Sequence, residues 1–223
     1  MIVYDTSSLQ IHQYKVGPLR TNSYFLVDPK TDQAFIIDPG EEGDFLSEEL
    51  LRLQLTPLAF ILTHAHFDHL SGLLPLKLNF PNAPVLLSYL DKKIYNSAAQ
   101  SAYFWQKQII DPPPPIDQNL ANQKELKLNS QKWQIIPTPG HSPGSISLFG
   151  PLDSSSQFLF SGDTLFAEGA VGRTDFSYAS SSDLKKSLQK IFSLPADTVL
   201  LPGHGRLSTL ADEIVFHSDL LKK

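Results

Sequence analysis

The segment 63–69, Thr-His-Ala-His-Phe-Asp-His, constrains the fold of this chain more than any other segment. It directly follows the apolar run 58–62, which is typical of a buried strand, so the histidines are predicted where a strand ends in a loop. On extended chain His64 and His66 point to the same side and can share one metal ion. Asp68 and His69 follow where a helix is expected to begin, and they suit a neighbouring ion. Imidazole and carboxylate ligands without sulfur favour zinc, iron or manganese.

Composition narrows the classes of function. The 223 residues suit one large domain, and the net charge is −5 with no basic stretch longer than a Lys-Lys pair. Nucleic acid is therefore not an expected partner, because binding a phosphate backbone needs clustered cations. The absence of cysteine excludes disulfides and thiolate ligands and fits a reducing compartment. No signal-peptide pattern or run of ~18 apolar residues is found, so we expect a cytoplasmic protein without membrane association.

Apolar periodicity predicts two groups of strands, each followed by helices. The predicted strands are 10–16, 23–28, 33–37, 58–62, 85–88, 125–128, 133–136, 145–149, 157–160 and 198–201. Five helices are predicted. The first is capped by Asp44 and has Leu46, Leu50 and Leu53 on one face; the second, at 70–80, is shortened or broken by Pro75; the third covers 91–108. The fourth carries Leu184, Leu188, Ile191 and Phe192 behind the cap candidates 180–182, and the closing helix carries Leu210, Ile214 and Leu221. The prolines 112–115 predict an extended surface excursion within one α+β domain, 1–223, whose two sheets pack together with helices outside.

Three further segments place one polar residue in a Gly/Pro turn after a predicted strand. His141 lies in 139–144, Asp163 in 161–164 and His204 in 202–205. Glycine permits close backbone approach and proline fixes the turn, so each segment is predicted to project one metal ligand. Five of the seven histidines lie in the ligand loops. The other two, His12 and His217, are predicted as an exposed strand residue and a partly buried packing residue of the last helix.

Together with Asp38-Pro39-Gly40 and the segment 172–176 (Gly-Arg-Thr-Asp-Phe), these motifs resemble the metallo-β-lactamase-fold hydrolases. Within that fold the chain resembles the single-domain glyoxalase II-like (hydroxyacylglutathione hydrolase) group, over nearly its whole length. The resemblance implies a four-layer αβ/βα sandwich and two divalent ions, zinc first, with iron or manganese as alternatives. It assigns the first ion to His64, His66 and His141, the second to Asp68, His69 and His204, and a bridging role to Asp163.

The resemblance also implies a reaction. A carboxylate at Asp163 is absent from the β-lactamases proper, which favours a different hydrolase. We expect no appended helical glutathione-binding domain, because only one helix is predicted after His204, and His217-Ser218 replaces the Asn-Pro pair usual in the group. We therefore expect hydrolysis of small acyl thioesters such as S-lactoylglutathione, by attack of a hydroxide bridging the two ions. A thiolate leaving group, with a pKa of ~8.5, departs without protonation, so no acid residue is needed.

Two other functions remain compatible with the motifs. One is a persulfide dioxygenase of the same fold, which binds a single iron through the residues matching His64, His141 and Asp163. The other is a non-catalytic metal-binding member of the fold.

Several supporting residues have two interpretations each. Asp38 either orients a histidine ligand or caps its Pro-Gly turn. Arg173 either forms an ion pair with Asp175, bracing the loop after Asp163, or meets a substrate carboxylate. The aromatic residues 103–105 form either a wall over the metals or a core-facing helix surface.

Overall fold

Residues 1–151 and 156–220 are described by the computed structural model, except for the side chain of residue 220. The chain divides into two compact units, Met1–Leu120 and Ala121–Lys223, and each contains one β-sheet. Among the described residues, no helix is long and apolar enough to cross a membrane. The assignment of the whole chain to a single domain stays a prediction.

The first unit is built on a seven-stranded sheet in sequence order. Its strands are β1 (Ile2–Asp5), β2 (Gln10–Val16), β3 (Thr21–Asp28), β4 (Gln33–Ile37), β5 (Thr56–Ile61), β6 (Val85–Leu87) and β7 (Gln118–Asn119). Its helices are α1 (Gly43–Arg52), α2 (Leu73–Asn79), α3 (Lys92–Asn96) and α4 (Ala98–Gln106), with 3₁₀ turns at Phe67–His69, Tyr89–Asp91 and Leu120–Asn122, the last of which extends into the second unit. Strands β1 to β4 pair antiparallel, and β4 to β7 pair parallel.

The parallel strands bring Asp38 and the histidine segment 63–69 to the same edge of the first sheet. Ile37 pairs with Ile61, and Ile61 pairs with Leu86, so β4, β5 and β6 end at one edge of the sheet. The residues that follow these carboxyl ends, including Asp38 and the segment 63–69, therefore lie at the same edge. Leu46, Leu50 and Phe60 are fully buried in the core that supports this edge.

The second unit is built on a six-stranded sheet, in the order β13-β12-β11-β10-β9-β8. Its strands are β8 (Glu125–Leu128), β9 (Gln131–Pro137), β10 (Ile146–Gly150), β11 (Phe158–Gly162), β12 (Val199–Pro202) and β13 (Ser208–Thr209). Its helices are α5 (Ser181–Ile191) and α6 (Leu210–Ile214), with 3₁₀ turns at Ala167–Gly169 and Val215–Leu220. Only β11 and β12 pair parallel; the other pairs are antiparallel.

Three strand ends also meet at one edge in this unit. Pro137 of β9 pairs with Ile146, and Gly162 of β11 pairs with Pro202 of β12. Since β10 runs antiparallel to both β9 and β11, the carboxyl ends of β9, β11 and β12 point the same way. The loops carrying His141, Asp163 and His204 begin at these ends.

The structure corrects several predicted elements. Asp44 does not cap α1: the helix begins after Glu42, which makes no side-chain capping bond, and Asp44 lies in the first turn. The segment 91–108 forms two helices that meet at Ser97 instead of one. The closing α-helix ends at Ile214 and continues as a 3₁₀ turn, and Leu221 lies outside the described residues. Strands β1, β7 and β13 were not predicted.

Other predictions are confirmed. Helix α2 is short and carries Pro75 in its first turn, where a missing N–H costs nothing. Ser180 caps α5, because its side chain accepts a hydrogen bond from the Asp183 N–H. The predicted surface excursion at 112–115 is confirmed only in part: the segment forms no helix or strand and Pro112 and Pro115 are exposed, but Pro114 is buried and its carbonyl accepts a hydrogen bond from the Tyr95 hydroxyl.

Candidate metal centre

In the first unit the histidine segment forms a compact group of imidazoles. The ring of His64 lies 4.7 Å from that of His66 and 4.2 Å from that of His69, centroid to centroid. Nε2 of His69 lies 3.5 Å from Oδ2 of Asp68. All of these residues are buried except His66, which is partly buried. Buried imidazoles and a carboxylate this close together are a donor set for a transition-metal ion.

Asp38 fixes the protonation of two of these histidines. Its carboxylate accepts hydrogen bonds from the Thr63 N–H and hydroxyl, both at 2.7 Å, and from Nδ1 of His69 at 3.0 Å. Because the Thr63 hydroxyl donates to Asp38, it accepts at 3.1 Å from Nδ1 of His64. Both rings therefore carry their proton on Nδ1 and leave the lone pair of Nε2 to bind a metal ion.

In the second unit one carboxylate oxygen faces two histidines. Oδ2 of Asp163 lies 3.5 Å from Nε2 of His141 and 3.7 Å from Nε2 of His204. Nδ1 of His141 lies 2.9 Å from the Arg173 carbonyl oxygen. Because a carbonyl oxygen can only accept a hydrogen bond, Nδ1 of His141 carries the proton in this contact. The unit thus offers two imidazole nitrogens around a single carboxylate oxygen.

Glycines bring backbone close to the ligand residues in both units. A Cβ on Gly40 would overlap the Asp68 carbonyl oxygen, and one on Gly172 would overlap the Asp163 carbonyl oxygen. Gly140, with φ +146°, packs against the backbone of Leu184 in α5. Side chains at these positions would displace the loops that carry Asp68, Asp163 and His141.

Arg173 and Asp175 form a bidentate ion pair, with nitrogen–oxygen distances of 2.9 and 2.7 Å. Both side chains are exposed, and the Arg173 guanidinium lies over the Phe176 ring. The ion pair lowers the pKa of Asp175. The structure therefore contains the Arg173–Asp175 ion pair that was one of the two interpretations of Arg173. Because both side chains are exposed, the pair contributes little to stability.

Glu41 is the other carboxylate of note in this part of the first unit. Burial raises its pKa, the Asp68 charge raises it further, and a hydrogen bond from Gln108 at 2.7 Å partly opposes the rise. Glu41 follows Asp38-Pro39-Gly40 and contacts the position of a Cβ on Gly17.

Sequence reasoning missed three residues that hold the ligand segment in place. The Thr21 hydroxyl donates to Oδ2 of Asp68 at 2.8 Å, and the buried carboxylate of Asp91 accepts from the Ala65 N–H at 3.1 Å. Thr63 connects Asp38 to His64. Of the three, only Thr63 could have been identified from the sequence, because it directly precedes His64. Thr21 and Asp91 are distant in sequence and belong to no motif.

The predicted exposure is wrong for His12 and confirmed for His217. The prediction that His12 is exposed is wrong: it is buried, on the same face of β2 as Tyr14 and Val16, and the unpredicted strand β1 pairs beside it. Burial lowers its pKa. His217 is partly buried, as predicted, and its ring lies 5.4 Å from that of Phe192.

The core-facing interpretation of the aromatic residues 103–105 is wrong. Tyr103, Phe104 and Trp105 are 57%, 67% and 52% exposed on α4, while Ala98 and Ala102 form the buried face of this helix.

Comparison with known proteins places this geometry in a family. The sequence model of the metallo-beta-lactamase superfamily matches residues 16–204, which include all seven proposed ligands. The chain belongs to this superfamily. The chain is similar to the probable metallo-hydrolase YqgX of Bacillus subtilis, with 36% identity over 85% of this chain and 87% of that protein. It is also similar to the hydroxyacylglutathione hydrolase GloC of Haemophilus influenzae, with 33% identity over 78% of this chain and 81% of that protein.

Solved structures confirm the metallo-β-lactamase fold. The BLEG-1 B3 metallo-beta-lactamase superposes with a TM-score of 0.85 at 35% identity, covering 95% of this chain and 100% of that one. TTHA1623 in a di-iron-bound form superposes with a TM-score of 0.80, also at 35% identity, covering 91% and 96%. The α+β fold class predicted from the motifs is therefore confirmed.

Proposed function

We propose that this superfamily member is a dinuclear metal-dependent hydrolase of small acyl thioesters. The observation that carries the proposal is the single oxygen of Asp163 facing Nε2 of both His141 and His204. One carboxylate oxygen close to two imidazole nitrogens is the arrangement expected of a ligand shared by two ions. The names of YqgX and GloC support a metal-dependent hydrolase, and that of GloC supports a thioester substrate.

The donor chemistry fits the two ions. His64, His69 and His141 present Nε2 lone pairs because their Nδ1 atoms donate to oxygen. We propose that His64, His66 and His141 hold one ion, that Asp68, His69 and His204 hold the other, and that Asp163 contacts both. Zinc is the first candidate, and the di-iron form of TTHA1623 supports iron as the alternative.

Bound ions of this kind lower the pKa of water from 15.7 towards ~7 and polarise a substrate carbonyl. The residues of the chain supply orientation. Asp38 holds His69 and, through Thr63, His64, while the Arg173 carbonyl holds His141. In the overall reaction the acyl carbon gains the oxygen of water and the C–S bond breaks. The sulfur keeps the electron pair and leaves as a thiolate, which needs no proton donor at neutral pH.

β-Lactam hydrolysis is a second candidate, favoured by the similarity to BLEG-1. A β-lactam nitrogen is a poorer leaving group than a thiolate and needs a proton. The leaving-group chemistry, together with the printed name of GloC, favours the thioester.

The deciding experiment combines metal analysis with four substrates. We expect close to two ions per chain and cleavage of S-lactoylglutathione. Glutathione persulfide with oxygen-uptake measurement, a lactone and a β-lactam are the comparisons. One tightly bound iron with oxygen consumption and no thioester cleavage would establish the dioxygenase instead, and faster turnover of the β-lactam would establish the second candidate.

Replacing Asp163 tests the shared carboxylate directly. Asp163→Asn should lose activity and the second ion together, since the amide is a weaker ligand for both ions. Asp197→Asn, at an exposed position, removes the same charge and should change neither metal content nor turnover. An Asp163→Asn protein with two ions and normal turnover would refute the assignment.

A further inference from the structure

A groove beside α4 exposes apolar side chains that the proposed metal chemistry does not use. Tyr103 and Phe104 are more than half exposed, and Ile109 is 89% exposed. With Ile110 they line a groove of about 520 Å³, within the range of small-molecule sites. An exposed apolar cluster of this kind marks a binding surface. Helix α4 packs against the turn 67–69, so the groove lies in the same part of the first unit as Asp68 and His69.

The groove also carries one cation, on Lys107. This residue ends α4 in the left-handed conformation, with φ 55°, and its Nζ lies 5.4 Å from the centroid of the Tyr103 ring. No acidic side chain pairs with Lys107 in the parts of the chain that the structure describes. A cation next to apolar walls complements a ligand that has an apolar body and an anionic group.

Gln108 adds an oriented hydrogen-bond acceptor. Its Nε2 donates to the buried carboxylate of Glu41 at 2.7 Å. This contact orients the amide with its nitrogen towards Glu41 and its oxygen away from it. The buried Oε1 of Gln108 meets no donor among the described residues. Because this oxygen is covered, a ligand N–H reaches it only when the groove residues over it move aside, and the N–H then gains a hydrogen bond that the protein does not supply.

We propose that this groove binds the thiol half of the substrate, and that this half is of the 4′-phosphopantetheine type. Such a thiol combines a branched apolar segment, amide N–H groups and an anionic phosphate. These match the walls formed by Phe104 and Ile109, the acceptor of Gln108 and the cation of Lys107. Glutathione has no branched apolar segment to cover Ile109. The inference rests on the proposed thioester hydrolysis and makes acyl-phosphopantetheine thioesters the preferred substrates over glutathione thioesters.

The test uses S-propyl thioethers of 4′-phosphopantetheine, pantetheine and glutathione. They resist hydrolysis and carry no free thiol that could bind a metal ion, so binding to the metal-replete protein is measured apart from turnover. Tryptophan emission is a suitable signal, because Trp105 is exposed beside Phe104 whereas Trp133 is fully buried. We expect the phosphopantetheine compound to bind roughly tenfold more tightly than the glutathione compound. Equal or tighter binding of the glutathione compound would overturn the proposal.

Variants separate the contributions of charge and apolar contact. Lys107→Gln should weaken binding of the phosphorylated compound roughly two- to fivefold and leave the pantetheine compound unchanged. Ile109→Ser should weaken both. Lys185→Gln, an exposed lysine of the second unit, is the charge-matched control and should affect neither. Identical behaviour of Lys107→Gln and Lys185→Gln would refute the role of the groove cation.

A turnover assay keeps this inference distinct from the proposed function. Binding of the phosphopantetheine thioether without cleavage of any thioester would support the groove and refute the hydrolase. Cleavage of S-lactoylglutathione with no binding of the pantetheine compounds would refute the groove alone.

Discussion

Asp38 is the residue on which the protonation of two proposed ligands depends. It lies in the left-handed region at φ 48°, at the end of β4, and it receives three donors. That conformation is tolerated by Asp and Asn better than by other residues with a side chain. Asn can therefore replace Asp38, which exchanges the carboxylate for an amide, with little change in the backbone conformation.

Asp38→Asn should weaken metal binding by roughly 10- to 100-fold, because the amide nitrogen cannot accept a hydrogen bond from His69 or Thr63. Competition with a chromophoric chelator measures the affinity. Asp32→Asn is the matched control, since Asp32 is also left-handed, at φ 53°, but is exposed in a turn. Unchanged affinity in Asp38→Asn would show that Asp38 only stabilises its turn.

His12 should make the free energy of unfolding depend on pH. Burial lowers its pKa in the folded protein below the ordinary value of 6.5, so the unfolded chain binds the proton more readily. Stability is therefore lost as pH falls through ~6.5 towards the lowered pKa. In urea titrations at about pH 7.5 and about pH 5.5, His12→Gln should lose less stability than the parent chain. An equal loss in both proteins would contradict this assignment.

Helix α5 positions the loop that carries His141. The Ser180 N–H donates to the Gly140 carbonyl at 2.8 Å, and the Ser187 hydroxyl donates to the Pro139 carbonyl at 2.7 Å. Leu184 packs against Gly140 and lies in the core of the second unit. The orientation of His141 thus depends on a helix that contributes no proposed ligand itself.

Ser180→Ala should cost about 1 kcal/mol in the free energy of unfolding, because the Asp183 N–H loses its capping acceptor. Metal affinity should change little, since the backbone bond to Gly140 remains. Ser193→Ala, at the exposed opposite end of α5, is the control and should cost less. Chemical denaturation measures both, and a loss of metal in Ser180→Ala would show that the cap also orients the His141 loop.

Elements were predictable where a local pattern determines them. Strands β2, β4 and β8 have the predicted bounds, since their apolar runs end at Gly, Pro or polar turns. The short strands β7 and β13 contain two residues each and carry no periodic pattern. The ligand loops followed from their glycines, prolines and histidines. Thr21 could not be predicted, because 47 residues separate it from Asp68 and only the paired sheet brings them together.

For the whole molecule, the proposed ligands divide between the two units, with four in the first and three in the second. Each unit also contains one tryptophan, Trp105 or Trp133. Single-tryptophan variants therefore report the unfolding of one unit each.

Removal of the metal should lower the melting temperature of both units. An ion present at 100 times its dissociation constant stabilises the folded chain by ~2.7 kcal/mol. In Trp105→Phe and Trp133→Phe proteins, a chelator should shift both emission transitions by similar amounts, because each unit contributes ligands. A shift confined to one unit would contradict the proposed ligand assignment. Asp163→Asn should respond less to the chelator than the parent chain.

The division of the ligands also has a consequence for biosynthesis. His64, His66, Asp68 and His69 leave the ribosome long before His141, Asp163 and His204 are translated. A nascent first unit presents a partial site to the cellular metal pool while its second half does not yet exist. Under the proposed ligand assignment, an ion captured at that stage would gain its remaining ligands when the later strands fold. We therefore expect the identity of the incorporated metal to follow the supply during translation as well as the affinity of the finished protein.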